Sequence, residues 1–167
     1  MDKSDILVIP NFLREEECDD ILTKFHQVEF ARTESNEFWD GRVKFFHSPE
    51  TVFHKMTTVQ KKLLESYFGV YVRRQIDINY VNWPAGFEMP PHNDLGSNNE
   101  FPNRHYTSIV YLTNEFTGGE IHFPSLDYEI KPEKGMLVMF KGNELFHGVR
   151  KVMSGNRITS ICWWEIV

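Results

Sequence analysis

The chain has 167 residues, 41% of them hydrophobic and 25% charged, which are globular proportions with room for one packed domain. Lys and Arg number 18 against 24 Asp and Glu, a net charge of -6 that argues against a groove for bulk nucleic acid backbone. No apolar run reaches the roughly 18–20 residues needed to span a bilayer. The start, Met1 to Pro10, carries Asp2 and Asp5 and no basic run, so neither a membrane span nor a signal peptide is expected.

Two helices come first. Leu13 to Val28 places Ile21, Leu22, Phe25 and Val28 on one face, with Glu15, Glu16 and Glu17 in the first turn, where acids suit the positive helix start. A second helix is punctuated by Ser48 as N-cap, Pro49 at the first helical position and Gly69 as the stop. Phe53, Met56, Val59, Leu63 and Tyr67 recur at helical spacing between them. Both helices are expected to cover a sheet.

From Val70 the period changes to two. Val70, Val72, Ile76, Ile78 and Tyr80 alternate with Tyr71, Arg73, Asp77 and Asn79, which reads as one strand. Short strands are then expected over Tyr106–Leu112, Glu120–Phe123, Tyr128–Ile130, Met136–Phe140, Gly148–Lys151 and Arg157–Ile166. Turn signals separate them, including Gly118-Gly119, Lys141-Gly142-Asn143 and Ser154-Gly155-Asn156. Many close strands with no helices between them predict a β-sandwich or jelly roll of antiparallel sheets, because a parallel sheet needs crossover helices. No repeat or linker interrupts the chain. One domain over 1–167 is expected, with 1–69 as a helical support region and 70–167 as a β core. The content of 14 Phe, 6 Tyr and 4 Trp suits such sheets or a lined cavity. Cys18 and Cys162 lie far apart without zinc-type spacing, which fits reduced thiols on buried faces and a cytoplasmic chain.

The chemistry gathers at His92, Asp94, His147 and Arg157. His92-Asn93-Asp94 sets an imidazole and a carboxylate two residues apart, on one side of extended chain. His147, in a later strand region, is the candidate third ligand. Two histidines and one carboxylate form the facial set of non-haem Fe(II) oxygenases, which leaves three positions open on the metal. The pair alone is a weak signal, for which a solvated His and Asp in a proline-rich turn is the better reading.

The surroundings are more specific. Trp83-Pro84-Ala85-Gly86 leads into Pro91-His92-Asn93-Asp94. Tyr111-Leu112-Thr113, Gly118-Gly119-Glu120, Phe123-Pro124, Lys131-Pro132 and Gly135 to Phe140 follow in order. Phe146-His147-Gly148-Val149, Gly155-Asn156-Arg157 and Trp163 close the series. Over nearly the whole chain this resembles the prolyl 4-hydroxylase-like branch of the Fe(II)/2-oxoglutarate-dependent dioxygenases.

The resemblance implies a double-stranded β-helix core of the jelly-roll or cupin-like kind. It also implies Fe(II), 2-oxoglutarate and O2 as cofactors, with ascorbate as a candidate reductant. His92, Asp94 and His147 would hold the metal. Arg157 would grip the distal carboxylate of 2-oxoglutarate, for which a guanidinium is suited by its paired donors. Tyr111 matches a tyrosine that reaches the same carboxylate. Thr159 and Trp163 share the strand face of Arg157, and His105, Thr107 and Ile109 share that of Tyr111. Residue 83 departs from the pattern, being Trp83 where the family usually has tyrosine. Either Trp83 walls the pocket or Tyr80 supplies a hydroxyl nearby.

His26, His47 and His54 read as ordinary surface or half-buried residues, and His122 as a residue that could face the substrate. Residues 31–50 and Leu95 to Arg104 are candidate loops over the pocket mouth. Arg73, Arg74, Arg104, Arg150 and Lys151 could form a local basic patch.

The expected reaction is hydroxylation of a C–H bond, with prolyl residues of a peptide as the favoured substrate, coupled to decarboxylation of 2-oxoglutarate to succinate. Three alternatives stand beside it. One is the same chemistry on a free amino acid, another small molecule or a nucleobase. The second is a non-enzymatic jelly-roll module that binds metal or ligand. The third is a cupin-type isomerase or lyase.

Overall fold

The computed structural model describes residues 1–32, 39–75 and 77–167. Residues 33–38, part of the loop expected over 31–50, and Ile76, named above as a strand residue, lie outside them.

The N-terminal region contributes strands as well as helices. Strand β1 (Ile6–Ile9) precedes helix α1 (Glu15–Gln27), and a two-residue strand β2 (Val43–Lys44) follows. The second helical stretch opens as α2 (Glu50–His54), passes through one π turn (Lys55–Val59) and continues as α3 (Gln60–Phe68). Pro49 precedes this helix and does not occupy its first turn. Gly69 ends it as expected, in the left-handed region at φ 68°. The region is therefore not purely helical: β1 pairs with β10 (Leu137–Phe140) and β2 with β4 (Asn79–Pro84).

The single strand expected from Val70 to Tyr80 is two strands. β3 (Val72–Arg74) and β4 pair with different stretches of the last strand, β12 (Val152–Ile166). That last strand starts five residues before the expected Arg157. Ser154-Gly155-Asn156 is no chain reversal, because its beginning pairs with β7 (Phe116–Gly118) through a register shift. Gly155 is needed there for room: a side chain would run into the Glu115 carbonyl.

Among the described residues the main sheet has eight strands. Its path runs β1-β10-β6-β12-β4-β2, with β6 at Tyr106–Tyr111, and β3 and β7 pair with β12 off that path. The second sheet, among the described residues, has four strands in the order β5 (Met89–His92), β11 (His147–Val149), β8 (Ile121–Phe123), β9 (Tyr128–Ile130). All the pairings are antiparallel. This is the mainly β, two-sheet jelly roll expected from the pattern. β5 escaped the sequence reading because Pro90 and Pro91 lack donors. It is an edge strand, where missing donors cost little.

The pleat sorts the main sheet into two faces. Tyr106, Val110 and Leu112 of β6 and its end, Ile158, Cys162 and Trp164 of β12, and Tyr80 of β4 pack against Ile21, Phe25, Met56 and Leu64 of the helices. Ile109, Tyr111, Ile161, Trp163, Val81 and Trp83 face the second sheet. A buried polar chain crosses the helix-side layer. The Trp164 indole donates to Ser108 Oγ at 2.9 Å, and Ser108 donates to Gln60 Oε1 at 2.7 Å.

Glu17 ties the two helices together. Its carboxylate accepts from the Arg14 backbone N–H at 2.9 Å and pairs with Lys55 at 2.7 Å, while being 5% exposed. Burial raises its pKa, but the Lys55 and Arg14 contacts outweigh this and hold it below the ordinary 4.5. A depressed folded pKa stabilises the native state above 4.5, and that stability is lost as pH falls through the folded value. Glu17→Gln should therefore cost about 1–3 kcal/mol at neutral pH. In urea titrations the gap from wild type should narrow as pH falls below 4.5. A gap that stays constant with pH would refute this role for the charge.

Candidate active site

Two of the proposed metal ligands are cross-strand neighbours. β11 pairs with β5 so that His147 stands opposite His92, which brings their rings to 4.6 Å between centroids. Asp94 lies just past the end of β5, in a turn and not in extended chain. The turn is fixed by its backbone N–H, which donates to Gly142 O at 2.8 Å. Its Oδ1 then sits 3.8 Å from His92 Nε2 and 3.6 Å from His147 Nε2. The donor atoms of the three residues lie within 4.8 Å of one another.

The arrangement fits a cation. His92 Nδ1 is 2.9 Å from Pro90 O, and His147 Nδ1 is 2.9 Å from Leu145 O. A carbonyl only accepts, so each Nδ1 carries a proton, and each Nε2 faces inward, where the neutral form of the ring offers a lone pair to a metal. Burial would raise the Asp94 pKa, but His147, Thr107 and His92 hold it below the ordinary value. Burial and the neighbouring His147 lower that of His92. Two lone pairs and one carboxylate oxygen thus converge, as a divalent transition metal requires.

These ligands line a cavity of about 610 Å³ between the two sheets. Arg157 also lines it, at 2% exposure. Its Nε donates to Gly119 O at 3.0 Å and its terminal nitrogen to Tyr111 OH at 3.3 Å. Gly119 has no space for a side chain beside the Arg157 stem. Both acceptors are neutral, and no carboxylate pairs with Arg157 among the described residues. A buried cation without a counter-charge favours an anionic ligand. Thr159, on the same face, has a fully buried hydroxyl with no hydrogen-bond partner. A dicarboxylate held between metal and guanidinium would satisfy both groups.

The other expected residues divide by the pleat. Arg157 stands opposite Trp83, Thr159 opposite Tyr111, and Trp163 opposite Thr107. All six belong to the cavity side of the sheet. Trp83 walls the cavity, with the Arg157 guanidinium 5.3 Å from its ring centre. Tyr80 is on the opposite face, stacked at 4.0 Å on Phe46 beneath the helices, so the structure does not bring its hydroxyl to the cavity. Thr107 and Ile109 line the cavity, whereas His105 accepts from the Ile166 N–H at the sheet margin. His122 lies outside, where Ile121 and Phe123 on either side point inward. Its ring covers Gly148, which has no room for a side chain.

Both expected loops reach the mouth. Trp39 comes from the first, and Gly96, Ser97, Glu100, Phe101 and Arg104 from the second. Arg104 does not join a basic patch. Its guanidinium stacks 3.7 Å from the Phe101 ring centre and 3.8 Å from that of Trp163. Arg73 and Arg150 instead pair with Glu165 and Glu129 at the surface. Phe101 is 41% and Phe146 51% exposed, so the rim is partly apolar.

Comparisons with known proteins agree with this geometry. Residues 78–165, more than half of the chain, match the family model of the 2OG-Fe(II) oxygenase superfamily. Among solved structures, the viral collagen prolyl hydroxylase of Paramecium bursaria Chlorella virus-1, in complex with 2-oxoglutarate, superposes with a TM-score of 0.76 at 24% identity, covering 97% of this chain and 96% of that one. A Pseudomonas putida prolyl-4-hydroxylase superposes at 0.71 and 14% identity over 96% and 92% of the two chains. Both share the fold. Prolyl 3-hydroxylase 1 of Gallus gallus is 36% identical over 69 residues, which is 38% of this chain and 10% of the relative's length. Prolyl 3-hydroxylase 2 of Homo sapiens is 33% identical over 69 residues, with the same shares of the two chains. By its family match, its two-sheet core and the converging His92, Asp94 and His147, the chain belongs to the 2OG-Fe(II) oxygenase superfamily.

Proposed function

We propose that the protein is an Fe(II)- and 2-oxoglutarate-dependent dioxygenase that hydroxylates prolyl residues of a peptide or protein. The observation that carries this reading is one cavity holding both the His92, Asp94 and His147 cluster and the buried Arg157 guanidinium. Bound iron with 2-oxoglutarate and O2 supplies the oxidation, in which 2-oxoglutarate loses carbon dioxide to become succinate.

The residues of the chain do the rest. His92 Nε2, His147 Nε2 and Asp94 Oδ1 hold the metal. Arg157, with Tyr111 and Thr159, holds the distal carboxylate of the cosubstrate. Burial raises the Tyr111 pKa, against the opposing effect of Arg157, so the phenol stays protonated and able to hydrogen-bond. The sheets exclude water from this floor, which strengthens each polar contact.

The mouth supports a prolyl substrate. Trp163 and Phe101 offer flat apolar walls to a pyrrolidine ring. Arg104, stacked on both, presents donors that a peptide carbonyl can accept. The Trichoplax adhaerens prolyl hydroxylase, solved with a hypoxia inducible factor peptide fragment, has the same fold at a TM-score of 0.69. Arg104 also favours a second reading, a small substrate that ends in a carboxylate, such as a free amino acid. The two cysteines are buried and unbridged, which fits a reducing compartment.

The decisive experiment supplies Fe(II), 2-oxoglutarate and ascorbate with a panel of proline-containing peptides and free proline. The expected result is succinate formation together with a one-oxygen mass gain on a peptide. A gain on free proline alone would replace the peptide reading with the small-substrate one. Succinate that no panel member stimulates would remove the prolyl assignment.

Two sets of variants test the site. His92→Ala and Asp94→Ala should abolish succinate formation, and wild-type turnover in both would overturn the metal assignment. Arg157→Gln should weaken 2-oxoglutarate binding roughly 100-fold, as expected for loss of one partner of a buried charge pair. It should leave Fe(II) binding near wild type. Equal loss of both in equilibrium titrations would argue that Arg157 supports the fold and not the cosubstrate.

A further inference from the structure

Asp94 turns only one of its two oxygens toward both histidines. Oδ1 faces both histidines, while Oδ2 is turned away and accepts a hydrogen bond from Thr107 Oγ1. We propose that Thr107 is a positioning residue that occupies Oδ2 and thereby commits Asp94 to bind the metal through Oδ1 alone. The inference rests on the metal reading above.

Three features make this a built contact. Thr107 is 2% and Asp94 8% exposed, so water cannot readily replace the hydroxyl. The Asp94 main chain is pinned by its N–H to Gly142 O at 2.8 Å, which fixes the point from which the carboxylate reaches Thr107. Gly142 itself supplies the space. A side chain there would collide with Thr107 Oγ1 and Asp94 Oδ2 together. Gly142 is not among the glycines with positive φ. Its value to this contact is therefore the missing side chain and not backbone freedom.

Thr107 in turn is placed by register. β6 sets it opposite Phe140 of β10, and β12 sets Trp163 opposite it on the other side. Its hydroxyl therefore enters the site from the centre of the main sheet, a rigid place from which to fix a ligand.

The consequence concerns coordination number. Two imidazoles and one carboxylate oxygen leave three metal positions open. A carboxylate gripping with both oxygens would take one of those, and a cosubstrate that chelates through two atoms would then crowd out O2. Thr107 keeps the third position available.

The test compares wild type with Thr107→Val and Thr107→Ser. Co(II) is titrated anaerobically, with its visible absorption spectrum as the readout. Fe(II) and 2-oxoglutarate are then added and the charge-transfer band recorded. Thr107→Ser should match wild type. Thr107→Val should bind Co(II) roughly 10- to 100-fold more weakly, the usual effect of losing a partner of a metal ligand. Its Co(II) spectrum should also shift toward higher coordination. A Val variant with wild-type affinity and spectrum overturns the proposal. So does a Ser variant as impaired as Val, because a retained hydroxyl would then not restore the metal site. If Thr107→Val does not fold, Thr107→Ala takes its place under the same two criteria. Failure of wild type itself to bind metal or give the band would strike the iron and 2-oxoglutarate reading instead.

Discussion

Strand β12 runs between β4 and β6, and its pleat decides which side chains see the cavity. Arg157, Thr159, Ile161 and Trp163 point one way, and Ile158, Ser160, Cys162 and Trp164 the other. The period of a strand is two, so a slip of one residue would exchange these sets. The guanidinium would then face the helices, and Cys162 and Trp164 would face the metal ligands. The helix-side packing guards against that slip. Trp164 is 1% exposed among the helices and spends its indole proton on Ser108. The apolar layer under the helices thus sets the polar geometry on the other side of the sheet.

Charge is distributed in the same economical way. The cavity sets the Asp94 carboxylate at its metal end and the Arg157 guanidinium at its floor, each hydrogen-bonded to neutral partners, while Glu100 and Arg104 line its mouth. Neither group forms an ion pair with a Lys, Arg, Asp or Glu side chain among the described residues. A divalent cation and a dianion would compensate both, so the cavity is electrostatically complete only with its ligands. Arg104 at the mouth is separated from this floor and is stabilised mainly by aromatic faces.

Much of this could be read from the chain. Period-two segments placed the central strands, and the ordered motifs around His92, Asp94, His147 and Arg157 marked the residues that the fold brings together. Other features were hidden for physical reasons. β5 carries two prolines and is held at an edge by few bonds, so no propensity signals it. Gly155 reads as a turn residue because close backbone approach and chain reversal both exclude a side chain. Tyr80 was legible in principle: it lies three residues before Trp83, an odd offset that must put the two on opposite faces of one strand. The pairing of Thr107 with Asp94 joins a strand to a turn 13 residues away, and no local pattern encodes such a contact.

The central place of β12 also has a kinetic consequence. β4 is joined to β6 only through this last strand, and Arg157 must find Trp83 across most of the β region. Such distant pairings pay their loop-closure entropy before any contact rewards it. Until β12 inserts, the cavity-facing edges of β4 and β6 stand open, with Trp83, Ile109 and Tyr111 exposed. Folding should therefore be slow for a chain of this size, and its hazard is edge-to-edge association of molecules that still lack their central strand.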